Sequence, residues 1–274
     1  MKVTQLVDRY GSNRQNSHLP GELLRGCSCI AIPFAGGMCE VPHMTANIIN
    51  VNDLDRAVMN LAGAIRLWRG ELVQELDATP FHPDVLAESQ RQCREFEKNA
   101  APLLTPNKTW AYHYFICSWM TRGGKGGTKG EFDAGLSVRW KSGGGDSVVR
   151  FRSATESLAA WEKVMRRCTF HTRDAFDFIA ECKERDVIEN GIFVDAPWPE
   201  DGDSYKHKFS EVMQLELRNL LESFVFTRIV VRFGDHPLIR ELYRPSHWTW
   251  NIVTSRTQAN ASKAEMLLTN WSEQ

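Results

Sequence analysis

The distribution of apolar and polar positions divides most of the chain into short apolar runs separated by amphipathic stretches. The short runs predict buried β-strands at Cys29–Pro33, Asn47–Val51, Thr169–His171, Ile192–Asp195, Arg228–Phe233, Trp248–Val253 and Glu265–Trp271. The stretches with apolar residues at helical spacing predict α-helices at Asp55–Arg69, Val85–Asn99, Trp110–Met120, Ser157–Arg167, Asp174–Arg185, Phe209–Phe224 and His236–Tyr243. Strands that alternate with helices are typical of an α/β fold with a doubly wound sheet.

The middle of the chain departs from this alternation. Arg122–Gly130 mixes glycines with basic residues, which predicts irregular structure. Beyond it, Leu136–Lys141 and Val148–Arg152 flank the glycine-rich Ser142–Asp146, and this arrangement predicts a β-hairpin. We therefore predict that residues 75–165 form a mostly helical insertion that contains this hairpin.

Positive charge is concentrated in the insertion, although the whole chain has a net charge of −1. Between residues 121 and 152, seven basic residues face three acidic ones. The seven are Arg122, Lys125, Lys129, Arg139, Lys141, Arg150 and Arg152. Such clustering is typical of a surface that contacts nucleic-acid phosphates, and a solvated flexible loop is the alternative. The flanking segments, 1–74 and 166–274, are predicted to form one α/β core.

Composition and cysteine usage predict an ordinary globular protein. Apolar residues make up 42% and charged residues 24% of the chain, which is typical of a domain with a packed core. The seven cysteines show no zinc-site spacing, and Cys27 and Cys29 belong to an apolar run that predicts a buried strand. This spacing leads us to expect no metal. We also expect a cytoplasmic location and reduced thiols, because no stretch has the length of a signal peptide or a membrane span.

Three strand ends carry residues that suit a nucleoside ligand. The first strand leads into Pro33-Phe34-Ala35-Gly36-Gly37, whose glycines let a backbone approach a ligand, although such a pair is also typical of a simple turn. Asp53 follows the second strand, where an acid can accept hydrogen bonds from ribose hydroxyls or cap the next helix. Asp174 follows the strand Thr169–His171, and its position by itself favours a helix N-cap.

Asp195-Ala196-Pro197-Trp198 follows an apolar strand and has the groups needed to methylate an aromatic exocyclic amine. The lone pair of such an amine is delocalised into the ring, so the nitrogen is a poor nucleophile. A carboxylate and a backbone carbonyl that accept its two hydrogens free the lone pair for attack on a methyl donor. The proline stiffens the loop, and an aromatic side chain can stack on a flipped base. An ordinary strand-to-loop turn is the alternative.

Taken in order, these segments resemble the Dam-type DNA adenine methyltransferases, the α-group of amino-methyltransferases. The resemblance covers most of the chain. Asp195-Ala196-Pro197-Trp198 stands where the family has Asp-Pro-Pro-Tyr. The other similar segments are Arg9-Tyr10-Gly11-Ser12, Pro33-Phe34-Ala35-Gly36-Gly37, Asn52-Asp53-Leu54-Asp55, Arg173-Asp174-Ala175, Tyr205-Lys206-His207-Lys208-Phe209, Arg240-Glu241-Leu242-Tyr243 and Glu265-Met266-Leu267-Leu268-Thr269-Asn270.

The resemblance implies a Rossmann-like methyltransferase core with a mixed sheet, S-adenosylmethionine as cofactor and double-stranded DNA as partner, in a bacterial cell or phage-infected host. It implies that Asp53 holds the cofactor's ribose and Asp174 its adenine amine. It implies that Asp195 and the Ala196 carbonyl take the hydrogens of the target amine while Trp198 stacks on the base. The remaining cofactor contacts that it implies are Tyr10, Pro33, Phe34, Ala35, Gly36 and Gly37. The insertion corresponds to the target-recognition region.

Four positions depart from the family pattern, namely Asn13 for a lysine, Ile32 for an acid, Met38 for a glycine and Ala196 for a proline. Ala196 keeps the carbonyl that the chemistry uses. Ile32 lacks the charge that would bind an ammonium group, so we expect weakened cofactor affinity. Two other functions therefore stay open: a non-catalytic, nucleic-acid-binding methyltransferase fold, and an adenine methyltransferase that acts on RNA.

Overall fold

The computed structural model describes residues 5–9, 14–99, 105–121, 131–140, 145–199, 206–256 and 262–272. These residues contain a seven-stranded sheet and eight α-helices. The chain divides into two compact units. We call Asn13–Ala35, His43–Leu54 and Arg167–Gln274 the sheet unit, and Met1–Ser12, Gly36–Pro42 and Asp55–Arg166 the helical unit.

The sheet unit is built on one mixed sheet. Its strands are β1 (Cys29–Ile32), β2 (Ile48–Asn52), β3 (Cys168–His171), β4 (Asn190–Val194), β5 (Arg228–Gly234), β6 (Thr249–Arg256) and β7 (Ser262–Thr269). They lie in the order β3-β2-β1-β4-β5-β7-β6. The first five are parallel, and β7 runs antiparallel to both β5 and β6. The predicted α/β fold with a mixed sheet is confirmed, and the order is compatible with a Rossmann-like core.

Four helices accompany the sheet: α1 (Leu19–Leu23), α6 (Ala175–Lys183), α7 (Glu211–Glu222) and α8 (Pro237–Leu242). The N-cap of α6 is Asp174, whose carboxylate accepts the Phe176 amide at 2.8 Å. Buried side chains of α6 and α7 pack with those of β4 and β5 in one hydrophobic cluster, which includes Phe178, Ile179, Leu217, Leu221, Ile192, Val194, Ile229 and Val231. Because these buried side chains recur at the spacing typical of helices and strands, the apolar pattern of the sequence predicted these elements.

Asp186 holds together the turns that lead into β4 and β5. Its two carboxylate oxygens accept the backbone amides of Val225, Phe226 and Thr227 at 2.7, 3.1 and 2.8 Å, and the Lys183 ammonium donates to it at 2.7 Å. Burial by itself raises the pKa of Asp186, but the Lys183 ammonium and the amides outweigh it, so the pKa lies below that of a free aspartate.

We expect Asp186→Ala to lower the free energy of unfolding by about 1–3 kcal/mol, because three amides lose their acceptor. A lowered folded-state pKa stabilises the fold above the unfolded-state pKa, and this contribution disappears as the pH falls through the folded-state pKa. Urea unfolding from pH 7 to pH 3 should therefore show the wild-type advantage shrinking below about pH 4. Glu189→Ala, which removes an exposed carboxylate nearby, is the control. An advantage that stays constant across this range would contradict the assignment.

The helical unit contains α2 (Arg56–Asp77), α3 (Pro83–Lys98), α4 (Lys108–Met120) and α5 (Ser147–Met165). α4 is buried over most of its length because α2, α3 and α5 all contact it. The side chains of Asp55 and Asn107 cap α2 and α4, because each accepts a hydrogen bond from a backbone amide in the first turn of its helix. The boundary predicted between residues 74 and 75 falls inside α2, all of which belongs to the helical unit.

The predicted β-hairpin is wrong, because Val148–Arg152 lies in the first turns of α5. The Asp146 carboxylate accepts the amides of Val148 and Val149 at 2.7 and 3.2 Å, which starts the helix there. Among the described residues, Leu136 forms an isolated antiparallel bridge with Thr121. The helix is favoured because α5 buries one face at helical spacing, through Phe151, Ala154, Thr155 and Leu158.

Within the described ranges, no helix combines the length and the apolar character that crossing a bilayer requires.

Candidate functional site

Asp195 lies immediately after β4, in the middle of the sheet. Val194 is paired with Val231 of β5, and this register places Asp195 beside Arg232. The Arg232 Nη1 donates to Asp195 Oδ2 at 2.8 Å. The Trp198 indole Nε1 donates to the other carboxylate oxygen, Oδ1, at 3.4 Å, which is a long and therefore weak hydrogen bond.

Glu265 of β7 holds the far side of the same guanidinium. Arg232 Nε and Nη2 each donate to a Glu265 carboxylate oxygen at 3.2 Å. Arg232 is paired with Leu267 across the β5–β7 ladder, so Glu265 is its diagonal neighbour on the same face. We call Asp195, Arg232 and Glu265 the carboxylate–guanidinium cluster.

Exposure within this cluster is uneven. The Arg232 and Glu265 side chains are 4% and 6% exposed, whereas the Asp195 side chain is 21% exposed, so Asp195 is the member that a ligand can reach most readily. Burial raises the pKa of the Asp195 carboxyl above its ordinary value, while Arg232 opposes that change and Glu265 adds to it. Asp195 is therefore a strong hydrogen-bond acceptor in a region of low polarity.

The rest of the predicted catalytic tetrapeptide is held against the sheet. The Ala196 side chain is buried in the hydrophobic cluster. The Pro197 carbonyl accepts the Nε2 of Gln214, a fully buried residue of α7, at 2.7 Å. Trp198 is partly exposed, and the guanidinium carbon of Arg232 lies 5.3 Å from its ring centroid. This contact is a cation–π interaction that orients the indole.

Asn52, the last residue of β2, ties together the predicted cofactor loops. Its buried side chain donates to the carbonyls of Pro33 and Arg173 at 3.0 and 3.1 Å and accepts the Arg173 amide at 3.0 Å. Its own carbonyl accepts the Ala35 amide at 3.0 Å. The loops that follow β1 and β3 are therefore bound to the end of β2.

Both predicted cofactor acids lie at the carboxyl ends of strands. The partly exposed Asp53 follows β2, and its amide donates to the His171 carbonyl at 3.3 Å. It does not cap the following helix, because Asp55 is the N-cap of α2. Asp174 is exposed and follows β3, and the N-cap alternative holds for it. One Asp174 oxygen serves as the cap, which leaves its second oxygen for a ligand.

Three partly exposed phenylalanines form an aromatic cluster at these strand ends. The ring of Phe34, which follows β1, lies edge-on to Phe209 with centroids 5.8 Å apart. Phe209 also stacks on Phe176 of α6 at 5.9 Å with an interplanar angle of 10°. Phe34 was predicted as a cofactor contact, whereas no sequence pattern indicated that Phe176 and Phe209 form an aromatic cluster with it.

The remaining residues of the glycine loop have distinct environments. Pro33 and Ala35 are buried in the sheet unit. In the helical unit, the Gly37 carbonyl accepts the Leu6 amide at 3.0 Å, and Gly36 has a φ of 48°. Met38 is fully buried and has a φ of 59°, the left-handed region that favours glycine. The position where the resembled family has a glycine thus has a backbone that glycine would favour.

The basic residues predicted to bind nucleic acid differ in their surroundings. Arg150 is engaged within the helical unit, since it donates to Asp8 Oδ2 at 2.5 Å and its guanidinium carbon lies 5.9 Å from the Trp119 ring centroid. Arg139 and Arg152 are exposed. Trp140, next to Arg139, is 89% exposed. The other predicted residues lie outside the described part of the chain, namely Arg122, Lys125, Lys129 and Lys141, as do Tyr10 and Asn13 of the cofactor side.

Ile32 ends β1 and is 1% exposed, so it contributes only apolar packing. All seven cysteines are free thiols. Among the described residues, no group of three or more His, Cys, Asp or Glu side chains is arranged to hold a metal ion.

No protein-family model matches the sequence, and no curated protein matches it either.

Proposed function

We propose that the chain is an S-adenosylmethionine-dependent DNA adenine methyltransferase. The observation that carries this proposal is the location of the tetrapeptide that begins at Asp195. β1 connects onward to β2 on one side of the sheet, whereas β4 lies on its other side, so the strand order reverses between β1 and β4. Doubly wound sheets bind their ligands at the carboxyl ends of strands at such a switch point. Phe34 after β1 and Asp195 after β4 flank it.

The residues at the neighbouring strand ends fit a nucleoside cofactor. The Asp53 carboxylate can accept hydrogen bonds from ribose hydroxyls, and the second oxygen of Asp174 can accept one from an adenine amine. The rings of Phe34, Phe176 and Phe209 offer an apolar surface on which a purine can pack. Pro33 and Ala35 would border the ligand through their backbone. When bound, S-adenosylmethionine would supply an electrophilic methyl group.

The tetrapeptide would act on the target amine. Asp195 would accept one amine hydrogen and the Ala196 carbonyl the other, which localises the lone pair on nitrogen for in-line attack. The nitrogen would gain the methyl group as the methyl–sulfonium bond breaks and its electron pair stays on sulfur as a neutral thioether. The nitrogen would then lose a proton to Asp195. Its raised pKa favours that role. Trp198 would stack on the adenine after the base has left the duplex. The reaction would take place in the cytoplasm of a bacterial cell or phage-infected host.

Transfer of a labelled methyl group from the cofactor to duplex DNA tests this proposal. We expect label on adenine in DNA of mixed sequence, and sequencing that detects modified bases should find methyladenine in cells that express the protein. DNA that remains unlabelled while RNA becomes labelled would support the RNA alternative. Label on neither substrate, with retained DNA binding, would support a non-catalytic nucleic-acid-binding module, the candidate that Ile32 favours.

We expect the cofactor to bind with a dissociation constant above the submicromolar range. Ile32 offers no charge to an ammonium group, and a charge-assisted hydrogen bond is worth about 1.5–3 kcal/mol, or roughly 10–150-fold in affinity. Isothermal titration calorimetry measures this constant directly. The demethylated cofactor product, which keeps the same ammonium group, is the comparison ligand. Submicromolar binding of either compound would show that another group replaces the missing acid.

We expect Arg152→Gln to weaken DNA binding about equally for all sequences and to reduce the slope of log affinity against log salt by about one. Arg152 is exposed near the start of α5, where its guanidinium can reach a phosphate. Fluorescence anisotropy over a salt series measures the slope. Arg166→Gln, at the other end of α5 where Glu162 pairs with the arginine, is the control. Equal slopes for the wild type and Arg152→Gln would remove Arg152 from the interface.

A further inference from the structure

The carboxylate–guanidinium cluster contains two carboxylates and one guanidinium, and the guanidinium is shared unequally. Glu265 occupies two donors of Arg232, Nε and Nη2, each at 3.2 Å. Asp195 takes the third donor, Nη1, at 2.8 Å and uses only Oδ2 for it. The other oxygen, Oδ1, has only the long contact of 3.4 Å with the Trp198 indole among these partners. Oδ1 of Asp195, the more exposed of the two carboxylates, is thus the oxygen of the cluster that a ligand can approach.

We propose that Arg232 and Glu265 are positioning residues, which set the orientation and the acceptor strength of the Asp195 carboxylate. The part of this inference that concerns catalysis rests on the proposed methyltransferase function. Neither residue needs to touch the substrate, because both act through Asp195.

The geometry separates the two tasks. Arg232 fixes the rotation of the Asp195 side chain by holding Oδ2, and it also lies over the Trp198 ring, so one guanidinium aligns two residues of the tetrapeptide. Glu265 fixes the plane of that guanidinium through a two-point contact. Its position is set by the β5–β7 register and not by a mobile loop.

The charges explain why the second carboxylate is needed. A guanidinium paired with Asp195 alone would lower the proton affinity of that carboxylate and make it a poor acceptor. Glu265 offsets the positive charge, so Asp195 is held without losing acceptor strength. With all three groups ionised the cluster carries one net negative charge, which favours a nearby cation. The charged groups that act on Asp195 among the described residues are Arg232 on β5 and Glu265 on β7.

Glu265→Gln and Arg232→Lys separate these tasks. In Glu265→Gln, Asp195 faces an uncompensated guanidinium, so its pKa should fall. In Arg232→Lys, the ammonium lacks the planar set of donors with which the guanidinium contacts both carboxylates. The contact between the cation and Asp195 is therefore weakened, and the pKa of Asp195 should rise. Opposite shifts are not expected from a general loss of packing. Glu222→Gln, which disrupts an Arg–Glu pair within α7, is the matched control and should leave Asp195 unchanged.

The readout is the ¹³Cγ signal of Asp195 in the full-length protein labelled at aspartate, assigned with Asp195→Asn and followed over a pH series. Single-turnover methyl transfer to DNA over the same series is the second readout. Glu265→Gln should shift the pH–rate profile to lower pH and reduce the rate roughly tenfold, a part of the factor that a proton acceptor contributes. If Glu265→Gln does not fold, the rise in Arg232→Lys alone tests the inference.

Unchanged or parallel shifts of the Asp195 signal in folded Glu265→Gln and Arg232→Lys would overturn the inference, even if the wild type methylates DNA. Opposite shifts without methylation by the wild type would leave the positioning role standing and reject the proposed function. The two failures are therefore distinguishable.

Discussion

Asp195→Asn is expected to reduce methyl transfer to DNA by about 10²–10⁴-fold, the contribution typical of a positioned proton acceptor. The amide keeps the shape of the carboxylate and can still accept the Arg232 Nη1 hydrogen bond. It cannot take a proton from the methylated nitrogen, so the chemical step slows. Affinity for DNA and for the cofactor should change little, because in the proposed function Asp195 would act on the amine in the transition state.

Single-turnover transfer of labelled methyl groups measures this loss, and urea unfolding of the same sample shows whether the fold is retained. Asp235→Asn is the matched control, because Asp235 is also an aspartate after a central strand but pairs with Arg240 on the surface. It should keep the wild-type rate. Full activity of Asp195→Asn would show that the tetrapeptide is an ordinary strand-to-loop turn.

Arg232→Met is expected to lower the free energy of unfolding by about 3–5 kcal/mol, the range for breaking a buried ion pair by removing one partner. The change leaves the Asp195 and Glu265 carboxylates close together without the cation between them. The folded variant must then either bury uncompensated negative charge or bind protons. The pKa of these carboxyls should therefore lie above the unfolded-state value.

The raised pKa of these carboxyls fixes how the stability of Arg232→Met depends on pH. A carboxyl whose pKa is raised by folding leaves stability intact below its unfolded-state pKa and removes stability as the pH rises toward the folded-state pKa. Urea unfolding of Arg232→Met should thus show a smaller deficit at pH 5 than at pH 8. Arg240→Met breaks an exposed pair and should cost no more than about 1 kcal/mol. A deficit independent of pH would mean that Arg232 stabilises the fold by packing.

The helices and strands were largely predictable where buried residues recur at a regular spacing along the chain. The short apolar runs around β1 and β4 and the apolar stretch of α4 are buried as their patterns indicate. The prediction failed at Val148–Arg152, where a single carboxylate, that of Asp146, starts a helix in a β-branched segment. α1 was missed because it is short and contains a proline and a glycine, which favour turns.

The candidate site was predictable only in part, for a related reason. Asp53, Asp174 and Asp195 follow predicted strands, so their place at the carboxyl ends of the sheet could be inferred. Arg232 and Glu265 could not be linked to Asp195, because their contacts depend on strand order and on the β5–β7 register. The available signal was Arg232 among apolar residues of β5 and Glu265 beside the apolar run of β7, since a buried charge requires a partner.

The hydrogen bonds of Asn52 couple the opening of three strand ends. Exposing the Ala35 amide or the Arg173 amide to solvent requires breaking contacts made by the same buried residue. Hydrogen exchange at these two amides, which belong to loops far apart in sequence, should therefore be slow and correlated. The loops that bear Phe34 and Asp174 are thus ordered before any ligand arrives, and binding there does not require the entropy loss of ordering them.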